Sequence, residues 1–257
     1  AISGVLSFAV LCRKFTDLKM NREECAFSKS ACVRLMGIGV PMGLQCSITA
    51  IGSVIMQAAV NVLGSTAVAA VTAAGKTMGL LTVPLESIGT AMATYAGQNL
   101  GAARMDRVRK GVNSALIIAA VYAVASLIIL HYADIAIMGL FLDTAKEVEI
   151  VAMGRQYLFW NSVFFIPLGW LIVWRYSIQG LGFSSLAMLA GVAEMVARTA
   201  VALALVPLLG YMGAIMANPA AWVAACLFLY PAYIWTCRQL DNRLLAAKLH
   251  MQSPRAE

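Results

Sequence analysis

Charge is what this sequence has least of. Asp, Glu, Lys and Arg make up 12% of its 257 residues, against about 25% in an ordinary soluble domain. So little charge cannot clothe a water-facing globule, which excludes a soluble enzyme and a disordered chain alike. Histidine is nearly absent: His131 and His250 stand alone, without a partner at ligand spacing. The six cysteines form neither a CxxC pair nor a Cys/His cluster, so they read as reduced thiols, with no metal site and no disulfide framework. HExxH, a phosphate-binding GxxxxGK[ST] loop and GxSxG are all missing, which leaves no catalytic residue to nominate, no enzyme and no ATP hydrolysis by this chain. No alternating segment of about ten residues recurs, as a membrane β-barrel would need. No internal repeat or low-complexity stretch breaks the pattern.

What remains is apolar. Residues of the AVILMFWYC set reach 61%, and the mean hydropathy is +0.81. Lipid is therefore the expected solvent. A spanning helix takes about 20 apolar residues, and six long apolar segments lie at about 34–63, 66–98, 111–132, 150–175, 185–208 and 212–237. The predicted fold is an all-α integral membrane bundle of six transmembrane helices. The apolar run 1–12 is too short to cross and is followed by Arg13 and Lys14 where a signal peptide carries its basic residues first. It reads as the tail of a preceding transmembrane helix. The expected organisation is that tail (1–12), a cytoplasmic linker (13–33), a six-helix lobe (34–237) and a cytoplasmic C-terminal tail (238–257).

The net charge is +7, and its placement explains it. Arg13, Lys14, Lys19, Arg22, Lys29 and Arg34 precede the first full span. Arg104, Arg107, Arg109 and Lys110 separate the second and third, and Arg238, Arg243, Lys248 and Arg255 follow the sixth. The opposite side has Lys146 and Arg155 among Asp134, Asp143, Glu147 and Glu149. Cationic loops stay in the cytoplasm, so six crossings begin and end inside. The basic excess is a topology signal and not a nucleic-acid patch.

Four ionisable residues fall within spans: Lys76, Glu86, Glu194 and Arg198. Each costs at least about 2.5–3.5 kcal/mol at the bilayer centre and should face a partner or a wet cavity. Glu194 and Arg198 are four apart and can pair on one helix face, as a structural pair or a gating one. Lys76 and Glu86 are ten residues apart, about 15 Å along a helix, too far to pair directly. Glu86 follows Pro84 by two residues and is the candidate for ion coupling, with Lys76 beside it as a second; the alternative is a structural hydrogen bond to another helix. Gln45, Thr49, Ser53, Gln57 and Asn61 recur every four residues in the first span. Such a row lines a substrate cavity or binds helices together. Pro41, Pro84, Pro167 and Pro219 are expected inside spans and to kink them. Broken helices often mark transporter binding sites, although proline is also simply commoner in membrane helices. Aromatic residues crowd the fourth span from Tyr157 to Tyr176, as interfacial belts and packing or as π-faces for an organic cation.

Several motifs, in order, carry a resemblance. Tyr95-Ala96-Gly97-Gln98-Asn99-Leu100-Gly101-Ala102 closes the second span, and Gly111 follows its basic loop. Upstream stand Pro41-x-Gly43, Gly64 with Ala67, and Pro84 with Gly89. Downstream stand Trp174-Arg175-Tyr176-Ser177-Ile178-Gln179-Gly180-Leu181-Gly182, then Gly191-x-x-Glu194-x-x-x-Arg198, then Gly210-x-x-Gly213 with Ala221-Trp222. Over about residues 1–240 this resembles the multidrug and toxic compound extrusion (MATE) transporters, whose Gln-Asn-x-Gly-Ala signature matches Gln98, Asn99, Gly101 and Ala102. Gln179 and Gly180 match the end of the family's tenth helix.

The resemblance implies the C-terminal lobe of a two-lobe, 6+6 transporter in the plasma membrane, with linker and C-terminus cytoplasmic. It implies an N-terminal six-helix lobe as partner, no cofactor, and export of small organic cations and toxic compounds in exchange for H+ or Na+ by alternating access. A lipid-linked oligosaccharide flippase of the same superfamily is the sister reading, and a structural membrane module the reading outside transport. One departure stands out. NorM-type members hold a cation in this lobe with a Glu, expected here near Thr49, and an Asp, expected near Leu168. Neither position is a carboxylate, so that cation site does not carry over. Coupling then falls to Glu86 or to an Asp in the N-terminal lobe.

Overall fold

The computed structural model describes residues 4–6, 9–10, 27–139 and 147–252. The chain separates into two compact units, Ala1–Gly37 and Ile38–Glu257. In the first, residues 4–6 and 9–10 are helical and a long helix opens at Lys29. The tail expected over 1–12 and the linker expected over 13–33 lie largely outside the described residues. The second unit holds the rest of that helix and the remainder of the bundle.

Every described element is helical: α1 (Lys29–Asn61), α2 (Ser65–Gly101), α3 (Met105–Met138), α4 (Val148–Val163), α5 (Phe165–Gly180), α6 (Ser184–Ala200), a π-helical turn (Val201–Leu205), α7 (Val206–Leu209), α8 (Tyr211–Ile215) and α9 (Ala217–Gln252). Among the described residues, five helical stretches are long and apolar enough to cross a membrane, or six when α4 and α5 count as one bent span. Apolar side chains cover much of the outside, among them Ile117, Val121, Ile128, Leu203, Leu208 and Leu227. That surface is stable only in hydrocarbon, where helices satisfy their own backbone.

The breaks have local causes. α4 and α5 meet at 53° around Phe164. Pro167, in the first turn of α5, has no N–H to give the carbonyl four residues back, so one straight helix cannot form. The π-turn lies just before Pro207, where a missing N–H again frees a carbonyl and the ladder widens to absorb it. Pro41, Pro84 and Pro231 stand inside helices that run on through them. Pro219 departs from expectation. It occupies the first turn of α9, where the donor it lacks would have no intrahelical partner anyway. From residue 238, where a C-terminal tail is expected, α9 continues to Gln252. The stretch holds Leu, Ala, Gln and Lys and neither Gly nor Pro, so nothing stops the helix.

α5 sits at the centre, against α2, α3 and α9. It is apolar from Phe165 to Trp174, as suits a helix packed on several sides, and Phe165, Leu171, Ile172 and Ile178 are fully buried. Its last turn touches α2 backbone to backbone: a Cβ on Gly180 would run into the carbonyl oxygen and Cα of Ala93. This gives the Gln179-Gly180 motif a packing reason. Gly180→Ala is expected to push α5 off α2, with an overpacking cost of about 1–3 kcal/mol and a lower thermal midpoint in detergent; an unchanged midpoint would contradict this close approach. α1 is seated on α6 in a similar way, where a Cβ on Gly52 would stand 3.2 Å from Met195 Cα.

At one end of the bundle Arg109 pairs with Asp241, which ties the start of α3 to the end of α9. Arg155 Nε donates to Asp134 Oδ2 at 2.5 Å, tying α4 to α3. The charge pattern places Asp134 and Arg155 on the outer side, and both are helical, in α3 and α4.

Candidate functional site

The end of α5 carries Arg175, Tyr176 and Gln179, and each finds a partner on a different helix. Arg175 Nη2 donates to Glu194 Oε1 of α6. Tyr176 Oη donates to Glu86 Oε2 of α2 at 2.6 Å. Gln179 Nε2 donates to Gln45 Oε1 of α1 at 2.7 Å. Four helices thus converge on one polar knot in an otherwise apolar bundle.

Its centre is a buried charge cluster. The Arg175, Glu194 and Arg198 side chains are 12%, 4% and 7% exposed. The spacing of Glu194 and Arg198 predicts that they pair with each other, and the structure corrects the emphasis. Arg198 Nη2 is 3.6 Å from Glu194 Oε2, beyond hydrogen-bond range, while Arg175 takes the other carboxylate oxygen directly. Two guanidiniums therefore share one carboxylate. Arg175 is a fifth intramembrane charge that the apolar pattern hides, because it falls where the fourth span is expected to end.

Three cavities surround this knot. The largest, about 600 Å³, runs along the small and polar face of α2 at Gly79, Thr82, Glu86 and Thr90, and reaches Tyr157, Arg198, Asn218 and Trp222. A second, about 370 Å³, joins Gln45, Thr49 and Ser53 to Glu86, Arg175 and Gln179. A third, about 200 Å³, lies between Ser53, Gln57, Tyr157, Arg198 and Asn218. Four of the five polar residues spaced along α1 thus line cavities. Asn61 does not; it accepts from Gln57 Nε2 at 3.1 Å on an exposed turn. Lys76 is exposed on α2 and is not among the residues lining the largest cavity. Thr49 and Leu168, where the NorM pattern expects carboxylates, both border cavities without offering a charge.

The motif that closes α2 shapes a turn and lies away from the cavities. Asn99 Nδ2 donates to Tyr95 O at 2.8 Å, Asn99 O accepts from Arg104 N at 2.8 Å, and Ala102 N donates to Gln98 O at 3.1 Å. Ala103 takes a positive φ of 55°, and Gly101 ends the helix just before it. Of the aromatic cluster, Tyr157 enters the cavity wall, its hydroxyl accepting from Asn218 Nδ2 at 2.8 Å. Trp170, Trp174 and Tyr230 line an apolar groove with their rings tilted to one another. Asn218 is a site residue that the sequence left unmarked; Tyr157, of the aromatic cluster, and Trp222, of the Ala221-Trp222 pair, meet it on the same cavity wall.

A helical membrane bundle with polar, charge-lined cavities between broken helices has the features of a polytopic transporter. The model of the MatE family matches residues 41–204, well over half of the chain, and the chain belongs to that family of transporters. Two curated proteins of Bacillus subtilis (strain 168) are similar. The probable multidrug resistance protein YpnP is 30% identical over 135 residues, 52% of this chain and 30% of that protein. The probable multidrug resistance protein YoeA is 22% identical over 147 residues, 57% of this chain and 32% of that protein. Among solved structures, MATE in complex with MaL6 matches 93% of this chain and 54% of its own, with a TM-score of 0.79 at 16% identity. A MOP superfamily transporter from Pyrococcus furiosus matches 76% and 43%, with a TM-score of 0.67 at 20% identity. The chain thus spans about a third of the curated relatives and about half of the solved chains that it matches.

Proposed function

We propose that this chain forms the C-terminal lobe of a two-lobe exporter, which moves small organic cations out through the plasma membrane in exchange for H+ or Na+. The observation that carries this reading is Glu86. It is an intramembrane carboxylate on the wall of the largest cavity, held by one tyrosine hydroxyl. A carboxylate in that position can take a proton or a cation and can attract a cationic substrate, and a single group serving both makes the two compete. Competition of that kind is what exchange needs, because each ligand then biases a different arrangement of the lobes. The basic residues at 104–110 and from 238 onward, joined by the Arg109–Asp241 pair, support a cytoplasmic end at that face.

In this reading the missing wall of the cavity is an N-terminal six-helix lobe, and the chain alone does not transport. The test is reconstitution of the complete transporter in proteoliposomes holding a fluorescent organic cation. Movement of the dye against its gradient is expected when an opposing proton or sodium gradient is imposed, and not without one. Equal rates under all three conditions would overturn the exchange mechanism.

A further inference from the structure

α3 and α9 both pack on α5 but scarcely touch each other, so a wedge opens between them on the outside of the bundle. The wedge is a groove of about 460 Å³, walled by Leu116, Ile117 and Ala120 of α3, Trp170 and Trp174 of α5, and Tyr230 of α9. Ring centroids run 5.9 Å from Trp170 to Trp174 and 5.4 Å from Trp174 to Tyr230. Trp170 Nε1 donates to Leu116 O at 3.3 Å, so the one polar atom of that indole is spent on the protein. Ile117, Trp170 and Tyr230 are exposed. None of the six residues borders the cavities around the polar knot.

The rim decides what the groove fits. Residues seven or eight apart share a helix face. Arg109 stands seven before Leu116 and Lys110 seven before Ile117, about 10 Å along α3. Arg238 follows Tyr230 by eight, about 12 Å along α9. Arg109 reaches across the wedge to Asp241, while Lys110 and Arg238 are exposed. Asp106, further along α3, is held by Arg104. Three cations and one carboxylate thus stand at this end of the groove, which leaves positive charge in excess. An aromatic trough in hydrocarbon with cations about two helical turns away has the layout of a phospholipid. We infer that the α3–α9 wedge binds an acidic phospholipid, with one acyl chain over Trp170 and Trp174 and the phosphate-bearing headgroup between Lys110 and Arg238. Phosphatidylcholine fits the trough but brings a positive charge of its own to the rim, whereas basic side chains at a membrane surface attract anionic lipid. A second copy of the chain fits poorly: a two-fold contact presents the same patch twice and sets these cations against each other. The site needs a bilayer and not the exported substrate, so it stands or falls apart from the exchange mechanism.

Bromine on an acyl chain quenches a tryptophan that it touches, and the groove holds two. The complete transporter is placed in phosphatidylcholine liposomes doped with brominated phosphatidylglycerol or, separately, brominated phosphatidylcholine. The emission belonging to the groove is the difference between the unmodified protein and Trp170→Phe. Half of it is expected to be quenched at a mole fraction of the acidic lipid about tenfold below that of the zwitterionic one, the order that two basic side chains supply. The double change Lys110→Gln with Arg238→Gln, at two exposed positions, should bring the two lipids within about twofold while quenching by brominated phosphatidylcholine stays. Equal quenching by both lipids in the unmodified protein overturns the headgroup site and leaves ordinary boundary lipid. A preference that survives the double change overturns the rim assignment, and one that is undiminished in Trp170→Phe places the lipid elsewhere. Groove emission that neither lipid quenches means that protein covers the wedge, and the proposal falls.

Discussion

Glu194→Gln is expected to be the most damaging single change in the charge cluster, worse than Arg175→Gln and much worse than Arg198→Gln. Glu194 is the one carboxylate between two buried guanidiniums. Neutralising it leaves both cations in a low-dielectric interior, and breaking a buried pair from one side costs about 3–5 kcal/mol. Arg175→Gln leaves Glu194 with Arg198 at 3.6 Å, close enough for a small rotamer change to restore a pair. Arg198→Gln removes a side chain whose Nε and Nη1 were unpartnered to begin with, so it relieves a cost as well as losing a contact. Thermal midpoints of the three variants in one detergent check this. The expected order of stability is Arg198→Gln, then Arg175→Gln, then Glu194→Gln. A Glu194→Gln protein as stable as the unmodified one would mean that the cluster is not the electrostatic centre described here.

Glu86→Gln should have the opposite character, with little effect on folding and a large one on transport. Glutamine keeps an oxygen for Tyr176 Oη, which now sits 2.6 Å from the carboxylate, so the α2–α5 contact survives. What is lost is the charge. In the proposed exchange the carboxylate alternates between a coupling ion and the cationic substrate, and the amide imitates one neutral state permanently. Ion-driven efflux, read as drug resistance at normal expression, is expected to fall to background. Glu86→Asp keeps the charge on a shorter arm and should keep part of the efflux, which separates chemistry from fit. Unchanged resistance in Glu86→Gln would move coupling elsewhere.

Much of the frame was legible in the sequence, because lipid makes it so. Six apolar stretches map onto α1, α2, α3, the bent α4–α5 pair, the α6 to α7 stretch and the α8–α9 stretch, since hydrocarbon admits few ways to satisfy a backbone. The break at Phe164 follows from Pro167, whose effect is local. The polar row from Gln45 to Gln57 could be read because a spacing of four nearly matches the helix period.

What the sequence hid was long-range. Gln45 meets Gln179 across 134 positions and Glu86 meets Tyr176 across 90; no spacing rule reaches that far. Arg175 sits at an expected span end, where a charge draws no notice, and it shares Glu194 with Arg198, the local partner that the i, i+4 rule nominates. Tyr157 and Asn218 carry no motif and become a pair only through packing. The π-turn before Pro207 was also hidden, since a proline announces a disturbance but does not say which of a kink, a break or a widened turn will absorb it.

The central claim is that Glu86 couples ion and substrate in one cavity. Its most direct test compares two transport modes of Glu86→Gln in the same proteoliposomes of the complete transporter. Uptake or efflux driven by an imposed ion gradient should be lost, while exchange of labelled for unlabelled substrate at zero gradient persists at saturating substrate with a raised half-saturation concentration, because the carboxylate adds to the cavity's hold on the substrate without being all of it and the lobes still move. Loss of both modes in a folded protein, or retention of both, would contradict the account.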